Sequence, residues 1–399
     1  MNLAQSQDND DPIEAAKRMV SNIQQLVGVH NVFGDKKRNF SAFSVFSMTL
    51  FGGTFLYVGS FSQLIYLVQV YPNKVESFKV MNCLSATLVP FSKYIFMMTS
   101  RTRLRNVFEM SSKGLSLIPQ GSNAYMKMMQ TFQRGRYASW FVIVNQIFSH
   151  VTYLLMPFLL TIFGNHRYLP TTPGDSYGLT PKYETPFYEA TFILTSIATA
   201  FSAINQTGYI VLFIALLNQE LGHFYVVTET LKDICNELED KEKKHNENSH
   251  AADTIEDKLK FCFIHHLFLI RYHNEIQRLY KMIFGAHFLM MTIVLVTTLQ
   301  TLNSWDMATT ILTAATGILP LFIYCFGGEL LISAGLEMSK AVYFCGWESM
   351  NAKQARIVSI MLCLSQRPLY LTAADIFVMN RETFGKIVQV VYKIYAVFN

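Results

Sequence analysis

This 399-residue sequence predicts an all-α membrane protein with seven transmembrane helices, on three observations. The first is composition: 51% of the residues are hydrophobic and 14% aromatic, against only 15% charged. An ordinary water-soluble domain has no interior for so much apolar surface. The second is the length of the uncharged runs. Arg38 and Lys74 enclose 35 residues without Lys, Arg, Asp or Glu, where a bilayer-spanning helix needs about 20. The third is the uneven placement of positive charge between those runs.

The spans follow in order. After the first come uncharged stretches at 137–165, 190–219, 282–305 and 307–328. A shorter span at 80–100 contains Lys93, and a weak one lies at 376–398. Of the 33 Lys and Arg, 25 precede helix 1 or lie between helices 2 and 3, 4 and 5, or 6 and 7, and only four lie in the remaining connections. Short positive loops stay on the cytoplasmic side. The amino terminus is therefore expected in the cytoplasm and the carboxy terminus outside, the reverse of a G-protein-coupled receptor. The first forty residues are polar and open with the acidic run Asp8 to Asp11, so no cleavable signal peptide is expected.

The chain divides into a cytoplasmic amino-terminal segment (1–39), helices 1–4 (40–218), cytoplasmic extensions of helices 4 and 5 (219–281), helices 5–6 (282–332), a cytoplasmic first part of helix 7 (333–375), and helix 7 (376–399). Residues 12–27 read as a short amphipathic helix with proline at its tolerated first position. Leu221, Phe224, Val227, Leu231, Ile234 and Leu238 recur at helical spacing, so helix 4 continues past the membrane. A polar break at 245–253 and a second amphipathic run at 259–280 lead into helix 5. The largest outside connection, 164–186, carries Pro170, Pro173, Pro181 and Pro186 and reads as irregular. The six cysteines are scattered and none falls in an outside segment, so no structural disulfide is expected. The net charge of +5 reflects the cytoplasmic loops and requires no nucleic-acid partner.

The end of the chain carries a more specific pattern. YCFGGELL is followed by AVYFCGWE, then RPLYLTAADIF, then a last apolar helix. Through Tyr324, Cys325, Gly327, Glu329, Leu330, Ala341, Tyr343, Trp347, Pro368, Leu369, Thr372, Ala373, Thr383, Phe384 and Tyr392, this resembles the carboxy-terminal signature of insect odorant receptors. The resemblance implies an odour-binding subunit of a ligand-gated, non-selective cation channel in the dendritic plasma membrane of a sensory neuron. Its implied partners are co-receptor subunits, in a heteromeric tetramer, together with membrane lipid and a small volatile ligand. It also implies that residues 219–281 and 333–375 meet neighbouring subunits, and that helix 7 lines the pore through Val388, Tyr392, Tyr395 and Asn399.

Helix 7 is a poor span, because Arg381, Glu382, Lys386 and Lys393 each cost about 2.5–3.5 kcal/mol near the bilayer centre. Four copies of Lys393 around one axis would repel cations, which favours a mixed channel over a homotetramer. A ligand cavity is expected in the outer half of the bundle, with helix 2 contributing Leu84, Leu88 and Phe91. Helix 3 contributes Phe148, Thr152 and Leu155, and helix 4 contributes Phe192, Ser196, Thr199 and Ala203. No charged anchor appears among them, so the expected ligand is small and neutral, with an aromatic ring allowed by the surrounding rings. Pro90, Pro157 and Pro320 are expected to kink helices 2, 3 and 6. Glu329 reads as an acid at the membrane edge, with a cytoplasmic Arg or Lys as its expected partner.

The alternatives are a G-protein-coupled-type receptor and a gustatory-type receptor channel. No DRY-like triplet follows helix 3 and no NPxxY lies in helix 7, and Val391–Asn399 departs from the gustatory TYxxxLxQF pattern. No enzyme, cofactor or metal is expected: the sequence has no phosphate-binding glycine loop, nucleophile elbow or HExxH, and His265–His266 with Cys262 lacks metal-ligand spacing.

Overall fold

The computed structural model describes residues 11–29, 32–33, 42–164, 166–170, 177–244, 249–302 and 307–398. Described residues are helical almost throughout. Helix α1 (Pro12–Gln25) begins with Asp11 accepting from the Ile13 amide at 3.0 Å. The first span is α2 (Ala42–Leu56), a π-helical turn (Tyr57–Phe61) and α3 (Ser62–Val70). There follow α4 (Lys74–Thr99), α5 (Arg101–Ser116), α6 (Asn123–Phe163), α7 (Phe187–Lys244), α8 (Ser249–Gln300) and α9 (Met307–Tyr343). The chain closes with α10 (Ala352–Ser365), strands β1 (Thr372–Ala373) and β2 (Phe377–Val378), and α11 (Arg381–Phe398).

Among the described residues, six helices are long and apolar enough to cross a membrane: the α2–α3 span, α4, α6, α7, α8 and α9. At 1.5 Å per residue, the 58 residues of α7 reach about 87 Å, close to three hydrocarbon thicknesses. Its second half and the first half of α8 therefore stand outside any bilayer as a packed pair. The seventh helix, α11, has 18 residues and an i,i+4 ion pair between Lys386 and Glu382 at 2.6 Å. Its charge keeps it out of the group of six.

Helix α7 is the axis of the bundle and α6 its outer wall. The most apolar window of α7 is 72% buried, and that of α6 is 0% buried. In water, such a difference would expose a large apolar face. In lipid it costs nothing, because acyl chains are as apolar as leucine. The centre is an aromatic stack of Tyr209 and Phe213 from α7, Tyr280 and Phe284 from α8, and Tyr324 from α9, with ring centroids 5.0–6.1 Å apart.

The stretch after α9 is not one helix. Gly346 takes φ 79°, a left-handed conformation that a side chain resists, and the chain turns there. Asn351 and Gln354 then start α10 with a reciprocal capping box. TAADIF forms the antiparallel hairpin β1–β2, with Thr372 opposite Val378. It docks on α8, where Ala374 N donates to Lys281 O at 2.7 Å and Lys281 Nζ pairs with Asp375 at 2.6 Å. On α9, Glu329 Oε2 accepts from the backbone amide of Arg381 at 3.2 Å. The expected Arg or Lys side-chain partner is thus replaced by the amino-terminal amide of α11, where the helix dipole favours a carboxylate. The Arg381 guanidinium lies over the Phe326 ring at 4.6 Å. Glu329→Ala is expected to lower stability by about 1 kcal/mol, and Glu329→Gln, which keeps an acceptor, by less. Thermal unfolding in detergent reads the difference, and equal losses would sink the capping role.

Candidate functional site

A cavity of about 260 Å³ lies in the half of the bundle that leads into the 164–186 connection. Each wall reaches it by an identifiable local device. On the first span, the π-helical turn brings Val58 and Gly59 to the wall. A Cβ on Gly59 would lie 2.6 Å from Thr87 Oγ1, so glycine is what lets this span approach α4. The Thr87 hydroxyl hydrogen is shared between Cys83 O at 2.7 Å and Gly59 O at 3.1 Å. Also on α4, Pro90 lacks the N–H that would pair with the carbonyl of Ala86, and both residues line the cavity.

Asn82 ties α4 to α8. Its Nδ2 donates to Val294 O at 2.9 Å, Thr297 Oγ1 at 3.0 Å and Thr298 Oγ1 at 2.8 Å. Helix α6 presents its polar face, Gln146, Ser149, His150 and Tyr153, and α7 presents Thr195, Thr199, Ser202, Ala203 and Gln206. Met291 and Val294 of α8, with Thr313, Thr316 and Gly317 of α9, complete the lining. Among the described residues no carboxylate lines the wall, which suits a neutral guest. An apolar cavity of about 150 Å³ holds benzene, so this one has room for a ring or short chain bearing a substituent.

Beneath the cavity, Lys93 of α4 is fully buried. Its Nζ donates to Gln206 Oε1 at 2.5 Å and to Tyr324 OH at 3.3 Å, and stands 4.9 Å and 5.5 Å from the Tyr209 and Tyr324 ring centroids. Aromatic faces stabilise a buried amine, and no carboxylate pairs with it among the described residues. The sequence shows Lys93 only as a blemish in a short span.

Of the ten residues expected to contact ligand, Thr199 and Ala203 line this cavity. Leu88, Phe148 and Leu155 are 44%, 70% and 47% exposed on the outer surface of the bundle. Leu84, Phe91, Thr152, Phe192 and Ser196 are half-buried and outside the lining. The hydroxyls of Thr152 and Ser196 donate to Phe148 O at 2.8 Å and Phe192 O at 2.7 Å, the carbonyls one turn back. On α11, Phe384, Ile387 and Val391 pack on the bundle, whereas Val388 and Tyr392 point away from it and Tyr395 is half-buried. Asn399 lies outside the described residues.

Comparison with known proteins places this architecture. The family model for the 7tm odorant receptor matches residues 73–392. Odorant receptor 10a of Drosophila melanogaster is 25% identical over 264 residues, 61% of each chain, so the match spans less than two thirds of that relative's length. Odorant receptor Or2 of Anopheles gambiae is 20% identical over 309 residues, 74% of this chain and 77% of the other. In three dimensions, olfactory receptor OR5 of Machilis hrabei, solved in complex with eugenol, superposes with a TM-score of 0.75 at 15% identity, covering 97% of this chain and 99% of that one. The shared fold, together with a family match that spans most of the sequence, shows that this multi-pass membrane chain belongs to the insect odorant receptor family.

Proposed function

We propose that the chain is the odour-binding subunit of a ligand-gated, non-selective cation channel, which it forms with a common co-receptor in the plasma membrane of a sensory dendrite. The observation that carries this reading is the cavity of about 260 Å³ among the membrane-spanning helices, whose lining holds no carboxylate among the described residues. A small neutral volatile enters it from outside, the amino terminus being cytoplasmic and the carboxy terminus extracellular. The ligand opens the channel through its greater affinity for the open arrangement, the only route by which binding shifts such an equilibrium.

The coupling runs from α9, which lines the cavity at Thr313 and Gly317 and holds α11 through Glu329, to the pore. In this reading Val388, Tyr392 and Tyr395 of α11, with Asn399 outside the described residues, line the ion path. The regions 219–281 and 333–375 meet the neighbouring subunits. The positive charge of Lys393 is tolerated because partner subunits supply most of the pore helices.

The test is current from oocytes carrying this chain with and without an insect odorant co-receptor, challenged with neutral volatiles. Fast inward current is expected only when both chains are present. Currents of equal size from this chain alone would contradict the heteromeric assignment.

A further inference from the structure

The cavity contains polar groups whose hydrogen-bonding sense is fixed by what they already touch. The Thr195 hydroxyl donates to Thr191 O at 2.7 Å, that of Thr199 to Ser196 O at 3.0 Å, and that of Thr316 to Thr313 O at 2.9 Å. Each hydroxyl has one proton, so these side chains offer a ligand only lone pairs. Asn82 is committed in the same direction. Val294 O is a carbonyl and cannot donate, so it must face the Asn82 amide nitrogen, and the three acceptors around that nitrogen take up its protons. An amide whose neighbours are unambiguous has no freedom to flip.

Gln206 is oriented the opposite way. Its Oε1 accepts from Lys93 Nζ beneath the floor, which turns its Nε2 away from the amine while the residue itself lines the cavity. An amide nitrogen is a donor with two protons and no lone pair to offer. The other donors are Gln146, Ser149, His150 and Tyr153 on α6, Ser202 on α7 and Thr313 on α9, and none of them is oriented by a buried charged group. Gln206 is thus the amide donor of the lining whose direction is set by a buried lysine with an aromatic surround.

Resting on the reading of this cavity as the odorant site, we infer that Gln206, oriented by Lys93, is the specificity-determining contact. It selects neutral ligands that carry an oxygen acceptor, a carbonyl or ester, over hydrocarbons of the same shape. A hydrocarbon placed there leaves the amide protons unpaired in a water-poor site, and a site built to hydrogen-bond rejects analogues that lack the group. Gln206 touches the ligand, and Lys93 is a positioning residue that acts through it.

The experiment records concentration–response curves for the chain with its co-receptor, using shape-matched pairs: acetophenone against isopropylbenzene, methyl benzoate against sec-butylbenzene, and 2-heptanone against 2-methyl-1-heptene. The oxygen-bearing member of at least one pair is expected to open the channel at a concentration about tenfold lower than its hydrocarbon partner. Gln206→Leu and Gln206→Glu remove the donor in different ways, the second giving Lys93 a carboxylate to pair with. Both are expected to bring the ratio within about twofold, with surface labelling confirming that each variant reaches the membrane. A wild-type preference below threefold, silence to every pair, or a preference that survives both variants overturns the inference. The cavity reading itself is tested separately by filling the space with Ala203→Trp or Thr199→Trp. Responses that persist in both filled variants reject the site. Responses lost on filling, with no acceptor preference in the wild type, reject only the role of Gln206.

Discussion

Gly328→Ala is expected to abolish ligand-evoked current and to loosen the carboxy-terminal helix from the bundle. A Cβ at position 328 would come within 2.0 Å of the Met379 carbonyl oxygen and 2.9 Å of its carbonyl carbon. No real side chain tolerates that approach, and the obstruction is backbone that cannot swing aside. Met379 is held by its own amide, which donates to Leu371 O at 2.9 Å. The next residue, Asn380, starts α11 by accepting from Thr383 N at 2.8 Å. Making room for one methyl group therefore displaces the hairpin and the start of α11 together. Overpacking of this kind costs about 3 kcal/mol or more. Gly385→Ala is the matched control within the same segment, since nothing lies within 4 Å of the added carbon. It should stabilise α11 by up to about 1 kcal/mol. Thermal unfolding in detergent and proteolysis of the carboxy-terminal segment compare the two. If they behave alike, the close α9–Met379 contact is not what holds α11.

His273→Ala should have the largest effect on stability outside the membrane. His273 Nδ1 meets Glu220 Oε1 at 2.5 Å, with both side chains at most 5% exposed. The pair joins α7 to α8 where they leave the bundle, and the second carboxylate oxygen of Glu220 has no hydrogen-bond partner among the described residues. Removing the imidazole strands a buried carboxylate, a loss of about 3–5 kcal/mol. The pair also carries a pH dependence. Burial disfavours the imidazolium, but the Glu220 carboxylate and the Tyr370 backbone outweigh it and hold the His273 pKa above its ordinary value of 6.5. A group whose pKa is raised on folding stabilises the fold fully below its unfolded pKa and ceases to as pH climbs through the folded value. Stability of the wild type should therefore fall as pH rises through the region above 6.5. The neighbouring His265 adds nothing there, because burial pushes its pKa down to about 4. Unfolding temperatures across that range should slope downward in the wild type and flatten in His273→Ala. A slope unchanged by the substitution would remove His273 from the account.

Helix number, order and approximate length are legible in the sequence because a bilayer imposes one crude rule, an uncharged run of sufficient length. The runs at 137–165, 190–219 and 282–305 are recovered in α6, α7 and α8. The rotation of each helix is not legible in the same way. In water, an apolar stripe points inward. In lipid, Phe148 and Leu155 of α6 face outward, and the inward face is the polar one with Gln146, Ser149 and His150. A signal for that face does exist. Polar side chains within spans are costly unless they face protein or a cavity, and Asn82, Gln146 and Gln206 are such residues. Choosing aromatic and small residues instead selects positions one or two residues away on α6, and catches the lining on α7 only at Thr199 and Ala203. The glycines of YCFGGELL were legible as a pattern but not as a cause. That cause, the approach of Met379 and of Phe213 and Leu217, depends on segments far away in sequence.

The central claim is that an odorant opens this receptor from the cavity lined by the first span with α4, α6, α7, α8 and α9. The most direct measurement is an electron cryo-microscopy map of the complex with its co-receptor, prepared with a volatile that activates it. Ligand density is predicted among Asn82, Thr199, Ala203 and Gln206. Ligand density on the outer face of α6, or in the groove between α1 and α7, with the cavity empty, would contradict the account.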